Sequence, residues 1–357
     1  MITIFTPSFA DASNTNAQNL TAKEVVARLS PTRFRVQMLA ASVPDERIAV
    51  RPNTELLSSR RHGNSARWLT RCLWTRPDVY FFPREGPLDT AFLFLRRYLR
   101  LRTALVTYVV ATVDHGVSSA VLARSIVEAD AVVGNSAYVS ETITQRFGVQ
   151  AATIHSGISR QTFFPLADAS RSRGSQLTVL YAGSFQARKR VHLVIQEASK
   201  WPNVRFRLAG RGEEEAPCRS LVERLGCRNV DFLGHLTPSH LGKEMRRADV
   251  FLFPSFLEGH PQVLGQAAAC GLPCVAMDVY RPDYVVNAAT GFLVRSETEL
   301  SQKLELLLTQ PDLRQSMSAA AVQLSLNFDW DRVVEHWERL FESVVAQRQG
   351  LTQGVTY

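Results

Sequence analysis

Short apolar runs alternate with amphipathic stretches along the first half of the chain. Between the first two runs, residues 19–29 carry apolar side chains at helical spacing, which predicts a helix. This alternation is typical of βαβ units, whose strands lie parallel in one sheet with helices over its faces. The predicted strands are residues 2–5, 34–39, 79–82, 104–110, 131–133 and 152–154. One parallel sheet could hold all of them.

The same rhythm restarts after residues 166–175, a polar, small-residue stretch with the composition of an exposed linker. We therefore predict an N-terminal lobe over 1–165 and a C-terminal lobe over 176–329. Strands of the second lobe are predicted at 177–181, 204–208, 230–233, 250–253 and 274–277. A closing helix begins at 330, and the segment 330–357 is expected to pack back toward the N-terminal lobe. The predicted class is α/β, with two Rossmann-like, doubly wound parallel-sheet lobes that face a cleft.

The segment 253–273 carries the clearest chemical pattern. A buried strand ends there, and a glycine-containing loop then opens a helix that Gly271 caps. Free backbone amides and the positive end of the helix dipole at such a start suit a diphosphate. Glu258 lies in the loop, where its carboxylate could accept hydrogen bonds from sugar hydroxyls. In the alternative interpretation, Glu258 only caps the helix and Gly259 only turns the chain.

Three short motifs in this segment resemble those of glycosyltransferase family 4. They are Pro254-Ser255, Glu258-Gly259 and Gly271-Leu272-Pro273. The resemblance runs from about residue 129 to 294 and is weaker before it. It implies the GT-B fold and retaining transfer from a nucleoside diphosphate sugar. In that family a second Glu follows the first by eight residues and holds the nucleotide ribose. This chain has Gln266 there, which can still donate and accept hydrogen bonds.

A second element of the resemblance lies at 181–190, where the family has an Arg and a Lys that clamp the donor diphosphate. Lys189 matches the Lys, whereas Ser184 stands in place of the Arg, so we expect Arg188 or Arg190 to supply the second cation. A solvated basic turn is the alternative. The donor-binding residues that this comparison implies are Gly183, Ser184, Arg188, Lys189, Gly210, Leu236, Gly259, His260, Pro261, Gln262, Val263 and Gln266.

In the first lobe, His115 follows a hydrophobic strand and is therefore expected at the carboxyl edge of the sheet. The resemblance identifies it with the cleft histidine that contacts the transferred sugar, which makes His115 and Glu258 the catalytic candidates. A structurally satisfied histidine is the alternative. The family's glycine-rich loop after the first strand is absent. A small, polar loop replaces it, and we expect its Asn14 and Asn16 to lie on the acceptor side.

Composition and charge restrict the class of protein, its location and its binding partners. The 357 residues are 45% hydrophobic and 21% charged, as in a globular protein. Neither a membrane span nor a signal peptide is expected, so the predicted location is the cytoplasm. Five cysteines without a paired motif argue against a disulfide framework or a zinc site. Residues 1–165 hold 19 Lys and Arg against 12 Asp and Glu, a net +7 of the total +8.

A basic first lobe favours an anionic partner, such as a phosphorylated or lipid-linked acceptor or an acidic membrane surface. Residues 92–102 mix aromatic, aliphatic and arginine side chains, as a helix on the inner membrane face would, although a core-facing helix with an arginine rim fits equally well. No nucleic-acid-binding motif accompanies the charge, so no nucleic acid is expected.

The sequence thus predicts a glycosyltransferase of the hexosyltransferase type. We expect it to need no cofactor beyond its nucleotide-sugar co-substrate and no metal, because protein cations would neutralise the leaving diphosphate. The replacements at Ser184 and Gln266 keep an alternative open on the same fold, either a nucleotide-sugar epimerase or a non-catalytic sugar-nucleotide binder.

Overall fold

The computed structural model describes residues 1–13, 17–58, 64–83, 86–110, 119–166 and 176–350. Parallel strands alternate with helices in two compact units, as the hydrophobic pattern predicts. The first unit is Met1–Ser156 together with Trp330–Tyr357, and the second is Gly157–Asp329. The two parallel sheets make the fold α/β with two Rossmann-like units.

Seven parallel strands form the sheet of the first unit. They are β1 (Ile2–Phe9), β2 (Phe34–Ala40), β3 (Thr54–Ser58), β4 (Val79–Phe81), β5 (Ala104–Val109), β6 (Ala131–Gly134) and β7 (Ala151–Thr153), in the order β3-β2-β1-β4-β5-β6-β7. Its helices before Ser156 are α1 (Ala17–Arg28), α2 (Glu46–Ala49), α3 (Asn64–Thr75), α4 (Pro87–Tyr98), α5 (Ala120–Val127) and α6 (Ala137–Phe147). The hydrophobic pattern did not predict β3, an edge strand in which only Leu57 is buried.

Six parallel strands form the sheet of the second unit. They are β8 (Thr178–Ala182), β9 (Arg205–Ala209), β10 (Val230–Gly234), β11 (Val250–Phe253), β12 (Cys274–Met277) and β13 (Gly291–Val294), in the order β10-β9-β8-β11-β12-β13. Its helices are α7 (Val191–Lys200), α8 (Glu215–Leu225), α9 (Pro238–Arg247), α10 (Gln262–Ala269), α11 (Glu297–Thr309) and α12 (Pro311–Ser325). The sequence pattern did not predict β13, which like β3 lies at an edge.

The last helix, α13 (Trp330–Arg348), packs in the core of the first unit, where Trp337 is fully buried. The Trp337 ring contacts those of Phe81 and Tyr108 edge-on, with 5.0 Å between centroids in each pair. The carboxylate of Glu338 accepts a hydrogen bond from the Ser30 amide and pairs with Arg33. Packing of this kind holds the end of the chain to the N-terminal sheet.

The boundary between the units falls between Ser156 and Gly157, earlier than the predicted boundary after residue 165. Residues that follow Gly157 belong to the second unit because they bond and pack against later parts of it. The amide of Ile158 donates to the carbonyl of Phe328 at 2.7 Å, and the guanidinium of Arg246 donates to the Thr162 carbonyl and lies over the Phe164 ring. Most of the predicted linker, 167–175, lies outside the described residues.

Candidate functional site

The order of strands in the second sheet locates the site. The chain runs from β8 outward to β9 and β10, and then returns to place β11 on the other side of β8. Ligands of open α/β sheets bind beyond the carboxyl ends of the two strands at such a switch point. The segments that leave β8 and β11 therefore form the expected ligand-binding edge, and both carry residues that the sequence predicts to bind the donor.

Close approach of two backbones fixes the segment after β8. The Gly183 amide donates to the carbonyl of Ala209, and a Cβ atom on Gly210 would lie 1.8 Å from the carbonyl oxygen of Gly183. Gly210 also has φ +145°, a conformation open mainly to glycine. Gly183 and Gly210 are thus needed for the loops after β8 and β9 to lie against each other.

A single 3-10 turn, Ala187–Lys189, follows this loop and presents the basic residues. Arg190 ends the turn in the left-handed conformation, at φ +51° and ψ +42°, and α7 begins directly after it. This change of direction separates the side chains. Arg190 pairs with Glu297 of α11, whereas Arg188 and Lys189 both reach Glu258.

The segment after β11 lies directly against this turn. The Phe256 amide donates to the Arg188 carbonyl at 3.0 Å, and Arg188 Nη1 donates to the Leu257 carbonyl at 2.7 Å. The hydrogen bond between Phe256 and the Arg188 carbonyl thus joins the two segments independently of the charged groups. The strand-to-helix segment and the cationic turn converge on one place.

Glu258 is the centre of the cluster. Its Oε1 atom lies 3.1 Å from Arg188 Nη1 and also accepts hydrogen bonds from Lys189 Nζ and the Ser255 hydroxyl. Only 10% of the Glu258 side chain and 10% of the Lys189 side chain are exposed, against 40% for Arg188. Among the described residues no donor reaches Oε2. The geometry therefore holds the carboxylate by one oxygen and leaves the other for a ligand.

Burial shapes the electrostatics of Lys189. Desolvation is the larger influence and lowers its pKa below the ordinary lysine value, while the negative charge of Glu258 opposes that shift. The ammonium also lies 5.2 Å from the centroid of the Phe253 ring, a cation–π distance. Two cations and one anion leave the cluster with a net charge near +1, which suits an added anion.

Ser255 is the member of the cluster that sequence reasoning did not select as a site residue. It is fully buried, and its hydroxyl donates to Glu258 three positions later. A Ser followed three residues later by Glu at the end of a buried strand is the sequence signal that could have identified it, since this spacing is used for reciprocal capping.

The helix α10 begins next to the cluster. Pro261 is its N-cap and has no side chain that could bond the first amides, so those of Gln262 and Val263 start the helix without a cap. Gln262, Val263 and Gln266 are partly exposed, and Gln262 and Gln266 lie one turn apart on the same face. Both glutamine side chains are therefore accessible on one side of α10.

His260 has a different position from these neighbours. Its side chain is fully buried, and its ring is stacked on Tyr284 at 4.0 Å between centroids. Contact between His260 and a donor would have to come from its backbone. Ser184 is exposed, and its carbonyl accepts a hydrogen bond from the buried Tyr181 hydroxyl at 3.1 Å. Leu236 follows β10 and is partly exposed.

The residues predicted in the first unit cannot be placed. His115, Asn14 and Asn16 lie outside the described residues. Their roles at the sugar and on the acceptor side stay predictions.

Residues 165–324 match the family model described as glycosyl transferases group 1. An uncharacterized glycosyltransferase of Methanocaldococcus jannaschii is 21% identical over 243 residues, which cover 64% of this chain and 67% of that protein. The N,N'-diacetylbacillosaminyl-diphospho-undecaprenol alpha-1,3-N-acetylgalactosaminyltransferase of Campylobacter jejuni is 30% identical over 143 residues, or 39% of this chain and 37% of that enzyme. The match to the second relative thus spans little more than a third of its length.

Among solved structures, Anabaena HepE in complex with UDP-glucose matches with a TM-score of 0.76 at 17% identity, over 96% of this chain and 100% of that one. This likeness confirms the predicted GT-B fold class. Among the described helices, none combines the length and the apolar character needed to cross a bilayer.

Proposed function

We propose that the protein transfers a sugar from a nucleoside diphosphate sugar to an acceptor, from the premise that residues 165–324 match the model of group 1 glycosyl transferases. The observation that carries the proposal is the convergence of Arg188 and Lys189 on Glu258 at the switch point of the second sheet. A cationic pair beside the start of a helix is suited to a diphosphate, which gains negative charge as the sugar departs.

Lys189 and Arg188 stabilise the leaving diphosphate in this mechanism. A cation about 4 Å from a phosphate contributes up to about 4 kcal/mol at intermediate dielectric before desolvation, whereas an exposed helix start contributes about 0.3–1 kcal/mol. The side chains therefore dominate, and the amides of Gln262 and Val263 add to them. Arg188 serves as the second cation, because Arg190 is engaged with Glu297.

Glu258 orients the sugar. Arg188, Lys189 and Ser255 hold its Oε1, so Oε2 is the atom that accepts from donor hydroxyls. A carboxylate held in this way needs little reorganisation when the substrate binds. Gln266, on the open face of α10, bonds the ribose through its amide in place of a carboxylate.

We propose a uridine diphosphate sugar as the donor, since HepE, which shares this fold, has been solved with UDP-glucose. The sugar is a hexose and is transferred with retention at its anomeric carbon, with His115 facing that carbon. Gly183, Gly210 and Leu236 border the nucleotide. The cationic pair replaces a metal ion, so transfer should persist in a chelator.

The acceptor is the less constrained substrate. The net +7 of residues 1–165 favours an anionic one. The Campylobacter relative is named for transfer to a diphospho-undecaprenol-linked sugar. We therefore propose a phosphorylated, lipid-linked glycan as the acceptor class.

A donor screen tests the proposal. The purified protein is titrated with UDP-, GDP- and ADP-sugars while its melting temperature is measured, and the tightest donor is then assayed for transfer with chelator present. A UDP-sugar should raise the melting temperature by mass action, and Lys189→Ala should abolish that rise. If no nucleotide sugar stabilises the wild type, the proposed function is wrong. Binding without transfer to any acceptor would instead favour the sugar-nucleotide binder.

A further inference from the structure

A basic cavity lies at the amino-terminal edge of the first unit's sheet. It has a volume of about 800 Å³ and is lined by residues that precede β4 and β5 and by the end of α13. The arginines in its lining are Arg76, Arg100, Arg102 and Arg348. The carboxylate in the lining, Asp78, accepts a hydrogen bond from the Thr3 amide at 2.7 Å and thus supports the backbone. The cavity is therefore positively charged.

Within the part of the chain that the structure describes, three of these arginines have no anionic partner. Among the described residues, no carboxylate pairs with the guanidinium of Arg76, Arg100 or Arg102, whereas Arg348 lies 2.6 Å from Asp130. Neighbouring arginines repel one another unless an anion lies between them. A second cavity of about 380 Å³ extends the basic region, with Arg97 and Arg100 in its lining.

The backbone conformation at two of these arginines also indicates that their side chains matter. Arg76 follows α3 and Arg100 follows α4, each with positive φ, +45° and +48°. Glycine is the residue that fits this helix-ending conformation without strain, and another residue costs about 1–2 kcal/mol there. Both helices nevertheless end on an arginine. The side chains, rather than the turns, are what these positions supply.

Aromatic side chains lie beside the basic region on α4. Phe94 and Tyr98 are 57% and 74% exposed, and their rings stack in parallel with 6.1 Å between centroids. Tyr98 is between Arg97 and Leu99, which line the two cavities. Trp74, near the end of α3, is 85% exposed, the highest value for a large apolar side chain among the described residues. Several exposed aromatic residues in one region indicate a contact surface.

We propose that this basic aromatic surface, formed by Arg76, Phe94, Arg97, Tyr98, Arg100 and Arg102, docks onto an anionic lipid bilayer. Aromatic rings favour the membrane–water interface, and arginines favour the phosphates of anionic headgroups. The end of α4 thus offers aromatic rings to the membrane–water interface and arginines to the headgroup phosphates. Tyr98 would enter the headgroup region while Arg100 and Arg102 bind phosphates around the cavity.

Charge complementarity favours a bilayer over a second copy of the chain. An isologous dimer through this surface would bring Arg76, Arg100 and Arg102 of both copies together, and no carboxylate of the described residues pairs with any of the three. Docking is independent of the transfer reaction, so its test does not need a donor or an acceptor.

Vesicle flotation tests the proposal with the full chain. Vesicles of equal parts phosphatidylcholine and phosphatidylglycerol are compared with pure phosphatidylcholine vesicles. The wild type should float with the anionic vesicles alone, and added salt should weaken the binding. Because each arginine at an anionic surface strengthens binding by roughly fivefold, Arg100→Glu with Arg102→Glu should weaken it by at least about 25-fold. Phe94→Ser with Tyr98→Ser should weaken it as well.

Matched control variants distinguish the loss of this surface from the general effects of reversing charge or removing apolar side chains. Arg224→Glu with Arg228→Glu removes the same charge from exposed positions of the second unit, and Val43→Ser with Val50→Ser removes exposed apolar side chains elsewhere. Both controls should float as the wild type does. The proposal is overturned if the wild type ignores phosphatidylglycerol, if the controls lose binding as fully as the surface variants, or if sedimentation shows a dimer that the Phe94 and Tyr98 changes dissolve.

Discussion

The Nη1 atom of Arg188 lies 3.1 Å from Oε1 of Glu258, although the two residues are 70 positions apart in the sequence. The contact joins the segment after β8 to the segment after β11. Lys189 and Ser255 bind the same oxygen. One carboxylate oxygen thus organises both cations.

Lys189→Ala should raise the Kd for UDP by roughly 100-fold and lower kcat for transfer. The variant removes the more buried cation from the proposed diphosphate site, where a charge–charge contact is worth up to a few kcal/mol. Glu258 keeps Arg188 and Ser255 as partners, so the fold should persist. Isothermal titration calorimetry measures the affinity.

Arg190→Ala is the matched control for this variant. Arg190 is the next residue, but it pairs with Glu297 instead of Glu258. We expect less than about a threefold change in the Kd for UDP, because an exposed pair of this kind contributes little. Equal losses in both variants would show that the turn as a whole, and not the Glu258 cluster, binds the phosphates.

Glu258→Gln should separate binding from transfer. The amide keeps the shape of the side chain but removes the charge that offsets Lys189 and Arg188. UDP, which lacks the transferred sugar that Glu258 is proposed to contact, should bind at least as tightly as to the wild type. Transfer from the UDP-sugar should fall by roughly 10- to 100-fold, the range for a lost hydrogen bond to a charged group.

Steady-state kinetics and calorimetry on the same preparation check this pair of effects. Weaker UDP binding together with unchanged kcat would contradict the role given to Oε2. It would mean that Glu258 serves only to hold the cationic turn in place.

The pH dependence of UDP binding should follow Lys189. Burial lowers the pKa of this lysine below its ordinary value of 10.5, so the folded protein loses the proton at lower pH than the unfolded chain does. The buried charge therefore disfavours the folded state at neutral pH. This cost falls as pH rises above the lowered pKa and is gone above the ordinary value of 10.5. UDP affinity should fall over the same interval, because the neutral amine no longer attracts phosphate.

Calorimetric titrations between neutral pH and pH 10 measure this fall. Lys189→Arg is the control, since a guanidinium stays charged throughout the interval. Its UDP affinity should stay level with pH. A decline of the same size in the Arg variant would assign the titration to another group.

Most of the fold could be predicted from hydrophobic alternation, with two edge strands as the exceptions. The pattern missed β3, in which only Leu57 is buried, because an edge strand pairs on one side only and can carry polar residues. It also missed β13, although three of its four residues are buried, so polar edge residues do not explain this second strand. The boundary at Gly157 also escaped prediction, because the contact of Ile158 with Phe328 is between residues far apart in sequence.

The candidate site could be predicted in part. The resemblance to glycosyltransferase family 4 implied that Lys189 and Glu258 serve one site, and both segments were predicted to follow strands of the same parallel sheet. The sequence left Arg188 and Arg190 as equal candidates for the second cation. The left-handed backbone of Arg190, which turns its side chain toward Glu297, decides between them, and no local pattern reveals such a conformation.

Gly210→Ala should destabilise the second unit and weaken UDP binding together. The new Cβ would lie 1.8 Å from the Gly183 carbonyl oxygen, at a residue with φ +145°. Overpacking and backbone strain each cost about 1–3 kcal/mol, so the free energy of unfolding should fall by roughly 2–6 kcal/mol. The loops after β8 and β9 would have to separate, which displaces the turn that carries Lys189.

Gly226→Ala is the control for backbone strain alone. Gly226 also has positive φ, +65°, but a Cβ there would meet nothing within 4 Å. It should cost only about 1 kcal/mol and leave UDP binding unchanged. Urea denaturation gives the free energy of unfolding, and calorimetry gives the Kd. If Gly210→Ala lowered the free energy of unfolding no more than Gly226→Ala, the close approach of the two loops would not constrain the site. The position of Lys189 would then have to depend on Glu258 and on the backbone contact with Phe256.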